Sequence, residues 1–115
     1  MPSRKWHLRI RDILASIERI IEYTVNLDFE QFRSDTKTFD PVVRNFEIIG
    51  EAAAHVPEEI VADHSEIPWQ DMRDMRNVLA HEYFGINENI VWDTIQDDLP
   101  PLVSQLKSLF EKDGV

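Results

Sequence analysis

The sequence predicts an all-α fold, a bundle of four principal helices with one or two short helical turns. Apolar residues recur at three- and four-residue steps along four segments, the spacing that places side chains on one face of an α-helix. No segment shows the strict apolar–polar alternation of a half-buried strand. The 115 residues, 43% of them hydrophobic and 30% charged, are typical of one globular domain, which we expect to span residues 1–115.

The first helix is predicted over residues 5–25. A break at Asn26-Leu27-Asp28 follows, and Asp28 is expected to cap a short turn over residues 29–33. The apolar stripe of this first helix consists of Leu8, Ile10, Ile13, Leu14, Ile17, Ile20, Ile21 and Val25.

The second helix is predicted over residues 40–55, with Asp40 as its N-cap and Pro41 at its first helical position. An earlier start near Asp35, with Pro41 bending the helix, is the alternative. Gly50 lies in the middle of this helix, where glycine costs about 1 kcal/mol relative to alanine. Close approach of another helix would compensate for that cost.

A short helix and a third long helix are expected next. Pro57 ends the second helix and opens a short helical segment over residues 58–63. Pro68 is predicted to be the first residue of the third long helix, which runs to His81 or Tyr83.

The last helix is predicted to begin after Asn87, which is a suitable N-cap residue. Its apolar stripe extends from Ile90 to Phe110. Pro100-Pro101 must bend or break this helix, because proline lacks the backbone N–H and its ring presses on the preceding turn.

Composition and charge exclude several classes of protein. The formal net charge of −10 disfavours non-specific coating of nucleic acid, which requires a basic surface. The absence of cysteine excludes disulfides, thiolate metal sites and cysteine nucleophiles. No apolar stretch is long enough for a membrane span, and the N-terminus lacks the features of a signal peptide, so we expect a cytoplasmic protein with no membrane partner.

The densest polar cluster lies in residues 73–83 and includes Arg76, Asn77, His81 and Tyr83. On a helix, Asn77 and His81 share a face, whereas Arg76 and His81 lie about 140° apart and do not converge automatically. Arginine offers a planar, permanently charged fork for phosphate, and histidine moves protons near pH 7. These residue types suit a phosphodiester site without a metal. The alternative is that His81 caps helix carbonyls and Arg76 forms surface salt bridges.

A second polar stripe runs along the second helix through Arg44, Glu47, Glu51 and His55. Carboxylates and histidine on one helix face can bind a metal, but no second Glu-x-x-His segment completes such a site here. Pairing of Arg44 with Glu47 or Glu51 is the simpler interpretation. The chain also lacks a phosphate-binding P-loop and a dinucleotide fingerprint, so we expect neither a metal nor a cofactor.

Two motifs together resemble the HEPN superfamily, and in particular its small HepT-like ribonuclease toxins, which pair with minimal nucleotidyltransferase antitoxins. The first motif is Arg-Asn-x-x-Ala-His-x-Tyr from Arg76 to Tyr83. The second is Arg-Asn-Phe-Glu-Ile-Ile-Gly-Glu-Ala over residues 44–52. Length and helix order match across nearly the whole chain, so the resemblance implies a HEPN-type helical bundle.

The resemblance also implies an activity and its residues. Arg76 and His81 match the catalytic pair of the family, and Asn77 matches the polar residue that follows the arginine. Tyr83 matches the tyrosine to which the partner nucleotidyltransferase adds AMP. The implied reaction is metal-independent RNA cleavage by the ribose 2′-OH, in a cleft where two motif copies of a homodimer face each other.

Residues outside the motif core are expected to support this cleft. Arg44 and Arg73, doubled by the dimer symmetry, would make it positive within an acidic shell, and Glu47 and Glu51 would support the cleft or its arginines. Two alternatives remain open. The chain could be a non-catalytic helical partner that binds a nucleotide or the nucleotidyltransferase, or a dimeric scaffold in which the Arg–His cluster is only a helix end.

Overall fold

The computed structural model is all-α, which confirms the predicted fold class. It describes the backbone of residues 5–81 and 88–112 and the side chains of residues 5–76 and 88–110, and no strand occurs within these ranges. In chain order the helices are α1 (Lys5–Thr24), α2 (Phe29–Ser34), α3 (Thr36–Ala54), α4 (Glu58–Asp63), α5 (Trp69–His81), α6 (Glu88–Asp93) and α7 (Leu99–Lys112), with a π-helical turn, Thr94–Asp98, between α6 and α7. Within these ranges, four principal helical segments and two short helices, α2 and α4, are present as predicted, with α6, the π-helical turn and α7 together forming the fourth principal segment.

The core forms where α3 packs against both α1 and α5, and α7 packs against α1. The predicted stripe of α1 is confirmed in its centre, where Ile10, Ile13, Ile17 and Ile20 are fully buried. The two ends of the stripe were wrong, because Leu8 and Val25 are 56% and 67% exposed. Burial of apolar surface contributes about 25 cal/mol per Å², so these isoleucines stabilise the packing of α1 in the core.

The start of α2 is held by the cap that the sequence predicts. The Asp28 side chain accepts a hydrogen bond from the Gln31 backbone N–H at 2.8 Å. The Gln31 side chain in turn accepts from the Asp28 backbone N–H at 2.9 Å. This reciprocal pair is a capping box, which satisfies two backbone donors that the helix itself leaves unpaired.

The predicted start of the second long helix at Asp40 was wrong, and the alternative start near Asp35 is the one that forms. Asp35 is the N-cap of α3, since its carboxylate accepts from the Lys37 N–H at 3.1 Å and from the Thr38 hydroxyl at 2.8 Å. Pro41 therefore lies inside the helix. Its carbonyl accepts a hydrogen bond from the Asn45 side-chain amide at 2.8 Å. Asp35 makes two cap bonds, which outweigh the local preference for starting a helix at an Asp-Pro pair.

Gly50 brings α3 and α5 into backbone contact. A Cβ added at Gly50 would lie 2.4 Å from the Cβ of Arg76 and 2.6 Å from its backbone nitrogen. The close helix approach predicted to compensate for this glycine is confirmed. Because of this close approach, the backbone of Arg76 packs directly against α3.

The start of α5 is anchored by Trp69, whose buried indole N–H donates to the His64 carbonyl at 2.9 Å. The helix begins at Trp69 rather than at Pro68, one residue later than predicted. The Pro68 carbonyl accepts from the Met72 N–H at 3.1 Å, which is the first bond of the helical ladder. The short helix expected over residues 58–63 forms as α4.

The two consecutive prolines of the last segment are accommodated by the π-helical turn. Leu99 donates its backbone N–H to the Thr94 carbonyl, five residues earlier. Pro100 and Pro101 follow as the second and third residues of α7. Because a proline ring presses on the carbonyl four residues before it, one widened turn relieves the clash without breaking the helix. The predicted cap Asn87 lies outside the described residues.

Most of the predicted apolar stripe of the last segment is buried or partly buried, but its first member was wrong, because Ile90 is 55% exposed. Leu99, Leu102, Leu106 and Leu109 are at most 2% exposed and belong to the same core as α1 and α3. Within the described ranges, no helix is both long enough and apolar enough to cross a membrane.

Candidate functional site

Arg76 is held against α3 by an ion pair with Glu51. The Arg76 Nη1 donates to the Glu51 Oε2 at 2.6 Å. A charge-assisted bond of this length is among the stronger hydrogen bonds in proteins. The two residues are 25 positions apart, and the neighbouring Gly50 contact makes their approach possible. The guanidinium therefore has a defined position, although its side chain is 39% exposed.

Glu51 is ionised at neutral pH. The hydrogen bond from Arg76 lowers its pKa below the ordinary value of 4.5, and desolvation of the carboxyl opposes this effect. The charges of Arg76, His55 and Arg9 lower the pKa further. His55 is also close, with its Nδ1 3.7 Å from the Glu51 Oε1 and 2.8 Å from the Glu51 carbonyl oxygen.

The Arg76–Glu51 pair lies in a shallow cavity of about 330 Å³ that crosses the surface of α3. Helices α1, α3 and α5 all contribute to its lining. Three arginines and three carboxylates line it, so that its formal charge is zero. The lining residues are Arg9, Asp12, Arg44, Glu47, Ile48, Glu51, Ala52 and Arg76.

Arg44 and Glu47 form a looser pair at the edge of this cavity. Their closest charged atoms, Nη1 and Oε2, are 3.7 Å apart, and the Arg44 side chain is 71% exposed. One of the two predicted partners of Arg44 is thus confirmed. The other, Glu51, is taken by Arg76 instead. Exposed pairs of this kind contribute little to stability, so Arg44 can exchange its partner readily.

Arg73 lies apart from the Arg76 cavity. Its Nε donates to the Ala53 carbonyl at 3.4 Å, and its Nη2 donates to Glu58 at 3.3 Å. The side chain is 21% exposed and lines a different groove, of about 500 Å³, beside Trp69. Arg73 was expected to support the cleft or to bind RNA, and in the structure its guanidinium ties α5 to the end of α3 and to α4.

For the remaining motif residues, the structure describes either the backbone only or nothing. Helix α5 runs through His81, so positions 77 and 81 are one turn apart along it. The side chains of Asn77 and His81 lie outside the described residues, as does Tyr83 entirely. Their convergence with Arg76 therefore remains a prediction.

Two lining residues, Arg9 and Asp12 of α1, were missed as site residues by sequence reasoning. In the sequence, Arg9 belongs to a basic segment, residues 1–11, which contains no Asp or Glu and is remote from both motifs. Within the described side chains, no group of three or more His, Asp or Glu residues could hold a metal ion.

Comparison with known proteins identifies a family and relatives that the chain resembles. The family model described as "Ribonuclease HepT-like" matches residues 13–109. A protein named "Probable ribonuclease HepT" from Thermococcus cleftensis is 43% identical over 90% of this chain and 90% of its own length. A "Putative RNase" of Caldanaerobacter subterraneus is 39% identical over 90% and 93% of the two chains.

A further relative extends the coverage to almost the whole chain. A "Putative RNase" of Methanocaldococcus jannaschii is 33% identical over 96% of this chain and 92% of its own length. No solved structure matches the chain significantly.

Proposed function

The chain belongs to the HepT-like ribonuclease family and is a ribonuclease, and we propose that it is the metal-independent endoribonuclease toxin of a toxin–antitoxin pair. The observation that carries the proposal is the Arg76 guanidinium, fixed by Glu51 and by the Gly50 contact over an open cavity. A fixed cation at an accessible groove is what a phosphodiester needs for binding and for charge stabilisation.

Arg76 is suited to hold the scissile phosphate of RNA. A guanidinium carries five N–H donors, and among the described side chains its one ion pair engages Nη1 with Glu51. The other donors can form a fork on phosphate oxygens. Charge that builds on those oxygens during the reaction would then meet a donor that is already in place.

His81 supplies the proton transfers in this proposal. It removes the proton of the ribose 2′-OH, whose oxygen forms a bond to the adjacent phosphorus, while the bond from phosphorus to the 5′-oxygen breaks. The leaving oxygen takes a proton, and a cyclic phosphate remains on the upstream fragment. Asn77, one turn before His81 on α5, orients the imidazole or bonds to the substrate. The need for a 2′-OH makes RNA, and not DNA, the substrate.

The active unit in the proposal is a homodimer with two motif copies facing one cleft. This arrangement brings the guanidinium groups of Arg76 and Arg44 from both protomers to one cleft, in a protein whose formal net charge is −10 for each chain. Arg76 and His81 lie about 140° apart on an ideal helix. The dimer removes this difficulty, since Arg76 of one protomer can act together with His81 of the other.

Silencing of the toxin is assigned to Tyr83 and to a cognate minimal nucleotidyltransferase antitoxin. Transfer of AMP to the Tyr83 hydroxyl, with release of pyrophosphate from ATP, would add bulk and a phosphate charge beside Arg76. That phosphate would compete with RNA for the same guanidinium.

The test is cleavage of a mixed RNA pool by purified protein in excess EDTA, with the fragment ends mapped. The parent should cleave and leave cyclic phosphate ends, and Arg76→Ala and His81→Ala should not. Arg33→Ala is the matched control, because Arg33 also sits in an interhelical pair, 3.2 Å from Glu88, but does not line the cavity. It should cleave like the parent.

Two results would contradict the proposal. One is equal cleavage by the parent and Arg76→Ala. The other is no cleavage by a parent that intact mass shows to be free of AMP, which would favour a non-catalytic helical partner that binds a nucleotide or the nucleotidyltransferase. In either case dimerisation should be measured alongside, by sedimentation or light scattering.

A further inference from the structure

Helix α1 lines part of the cavity that contains Arg76, and Arg9 is the cationic residue that α1 contributes. Arg44 and Arg76 each have a carboxylate within 4 Å, at 3.7 and 2.6 Å. Arg9 forms no such ion pair with any described side chain, and its side chain is exposed. Of the three arginines in the cavity, Arg9 is therefore the one whose charge is not already matched by a close carboxylate.

Arg9 nevertheless acts on the same carboxylate as Arg76. Its charge contributes to lowering the pKa of Glu51, which places it within electrostatic reach of the centre of the cavity. Glu51 is thus near two cations in the same cavity, Arg76, which is hydrogen-bonded to it, and Arg9. An anion that enters the cavity and takes donors of Arg76 would meet the Arg9 guanidinium across α3.

We infer that Arg9 is an RNA-binding residue, which contacts a backbone phosphate next to the one held by Arg76. This inference rests on the proposed ribonuclease function and extends its substrate contacts from α3 and α5 to α1. Arg76 and Arg9 would hold successive phosphates of a single strand that crosses the cavity, and the Glu51 carboxylate would reduce the repulsion between the two cations.

The chemistry of a single strand supports this assignment. Proteins that bind single-stranded nucleic acid use a groove with separated cations that follows the phosphate backbone. A neutral cavity, with three arginines and three carboxylates, gives little general attraction. Binding must then depend on individual contacts, of which an unmatched guanidinium is the most effective.

The experiment measures binding of a single-stranded RNA that carries 2′-O-methyl groups throughout and cannot be cleaved by its own 2′-oxygens. Anisotropy titrations at several salt concentrations give both the Kd and its salt slope. Arg9→Ala should raise Kd about three- to fivefold and reduce the slope of log K against log salt by about 0.7, the value for one phosphate contact on a single strand. Arg9→Lys should keep the parent slope.

Arg11→Ala is the matched control. Arg11 is an exposed arginine of the same helix, lies about 200° around the helix from Arg9, and is not part of the cavity lining. The Arg11→Ala substitution removes the same charge as Arg9→Ala, and it should leave the Kd and the salt slope within error of the parent values. Equal effects of Arg9→Ala and Arg11→Ala, or no effect of either, would overturn the inference.

A cleavage assay distinguishes failure of this inference from failure of the proposed function. With cleavable RNA, Arg9→Ala should raise KM by the same factor and leave kcat within twofold, because Arg9 is assigned to a phosphate that does not react. If the parent does not cleave RNA but Arg9→Ala still weakens binding of the methylated strand, the proposed function fails and the Arg9 contact stands. Thermal melts confirm that each variant is folded.

Discussion

Replacement of Gly50 by alanine tests whether the position of Arg76 depends on the backbone contact between α3 and α5. The new Cβ would lie 2.4, 2.6 and 2.9 Å from the Cβ, backbone nitrogen and Cα of Arg76. Carbon atoms in contact are normally about 3.5–4.0 Å apart, so the two helices must separate by about 1 Å. None of these atoms can rotate away, since two are backbone and the third is a Cβ.

Two opposing effects determine how much Gly50→Ala changes the free energy of unfolding. Alanine improves helix propensity by about 1 kcal/mol relative to glycine. Overpacking costs about 1–3 kcal/mol, and the upper end applies because backbone atoms must move. The net result is a loss of about 2 kcal/mol, which corresponds to a fall in Tm of about 8 °C for a chain of this size. A displacement of about 1 Å at Arg76 should also reduce RNA cleavage by about 100-fold.

The assay is a thermal melt followed by circular dichroism, together with the cleavage rate at a temperature where both proteins are folded. Ala54→Gly is the control, because Ala54 is an exposed residue of the same helix and reports helix propensity without packing. It should lower stability by at most about 1 kcal/mol and leave cleavage unchanged. A Gly50→Ala protein that melts at or above the parent temperature and cleaves normally would refute the reasoning.

Three further predictions follow from individual contacts. Arg76→Lys should fold normally yet lose about 10²–10³-fold in kcat, because one ammonium cannot replace the guanidinium fork; cleavage and melting curves measured together check this, and near-parent kcat would contradict it. Glu51→Gln should make the free energy of unfolding less sensitive to acid. Because the pKa of Glu51 is lowered in the folded protein, its ionised form favours the folded state above about pH 4.5. This contribution is lost as pH falls through the folded-state pKa. Urea midpoints between pH 3 and 6 should therefore fall more for the parent than for the variant, and parallel curves would exclude the effect. Asp28→Ala should lower the free energy of unfolding in urea by about 1 kcal/mol, because it removes the capping box with Gln31, whereas a change below about 0.3 kcal/mol would show that water replaces the cap.

Local periodicity was enough to predict most of the fold. The isoleucine spacing of α1 and the Asp28 cap depend on residues within one or two turns of each other, so they can be read without tertiary information. The start of α3 could not be chosen this way. Both Asp35 and Asp40 are suitable caps, and the structure selects Asp35 because its carboxylate finds two donors.

The π-helical turn, Thr94–Asp98, illustrates a different limit. Pro100 and Pro101 show that the last helix must be perturbed, but a bend, a break and a widened turn all satisfy that requirement. The burial of leucines on both sides of the turn, including Leu99 and Leu102, favours the solution that keeps one apolar face continuous. That preference arises from packing against α1 and is not visible in the local sequence.

Motif residues of the candidate site could be proposed from the sequence, whereas the contacts of Arg76 could not. Arg76 and Glu51 belong to different helices, 25 residues apart, and only the glycine beside Glu51 hinted that the two helices touch. Arg73 was expected to support the same cleft as Arg76, yet its position one turn earlier on α5 brings it to the carbonyl of Ala53. Arg9 enters the site through packing of α1 against α3, which no spacing within α1 could indicate.

The central claim, RNA cleavage by the substrate's own 2′-OH, is tested most directly with one chemical change in the RNA. A short RNA is synthesised twice around a mapped cleavage position, once unmodified and once with a single 2′-deoxy nucleotide immediately upstream of the scissile phosphate. In EDTA, the proposed mechanism predicts cleavage of the first strand with a cyclic phosphate end and none of the second at that position. Cleavage of both strands at equal rates would contradict it.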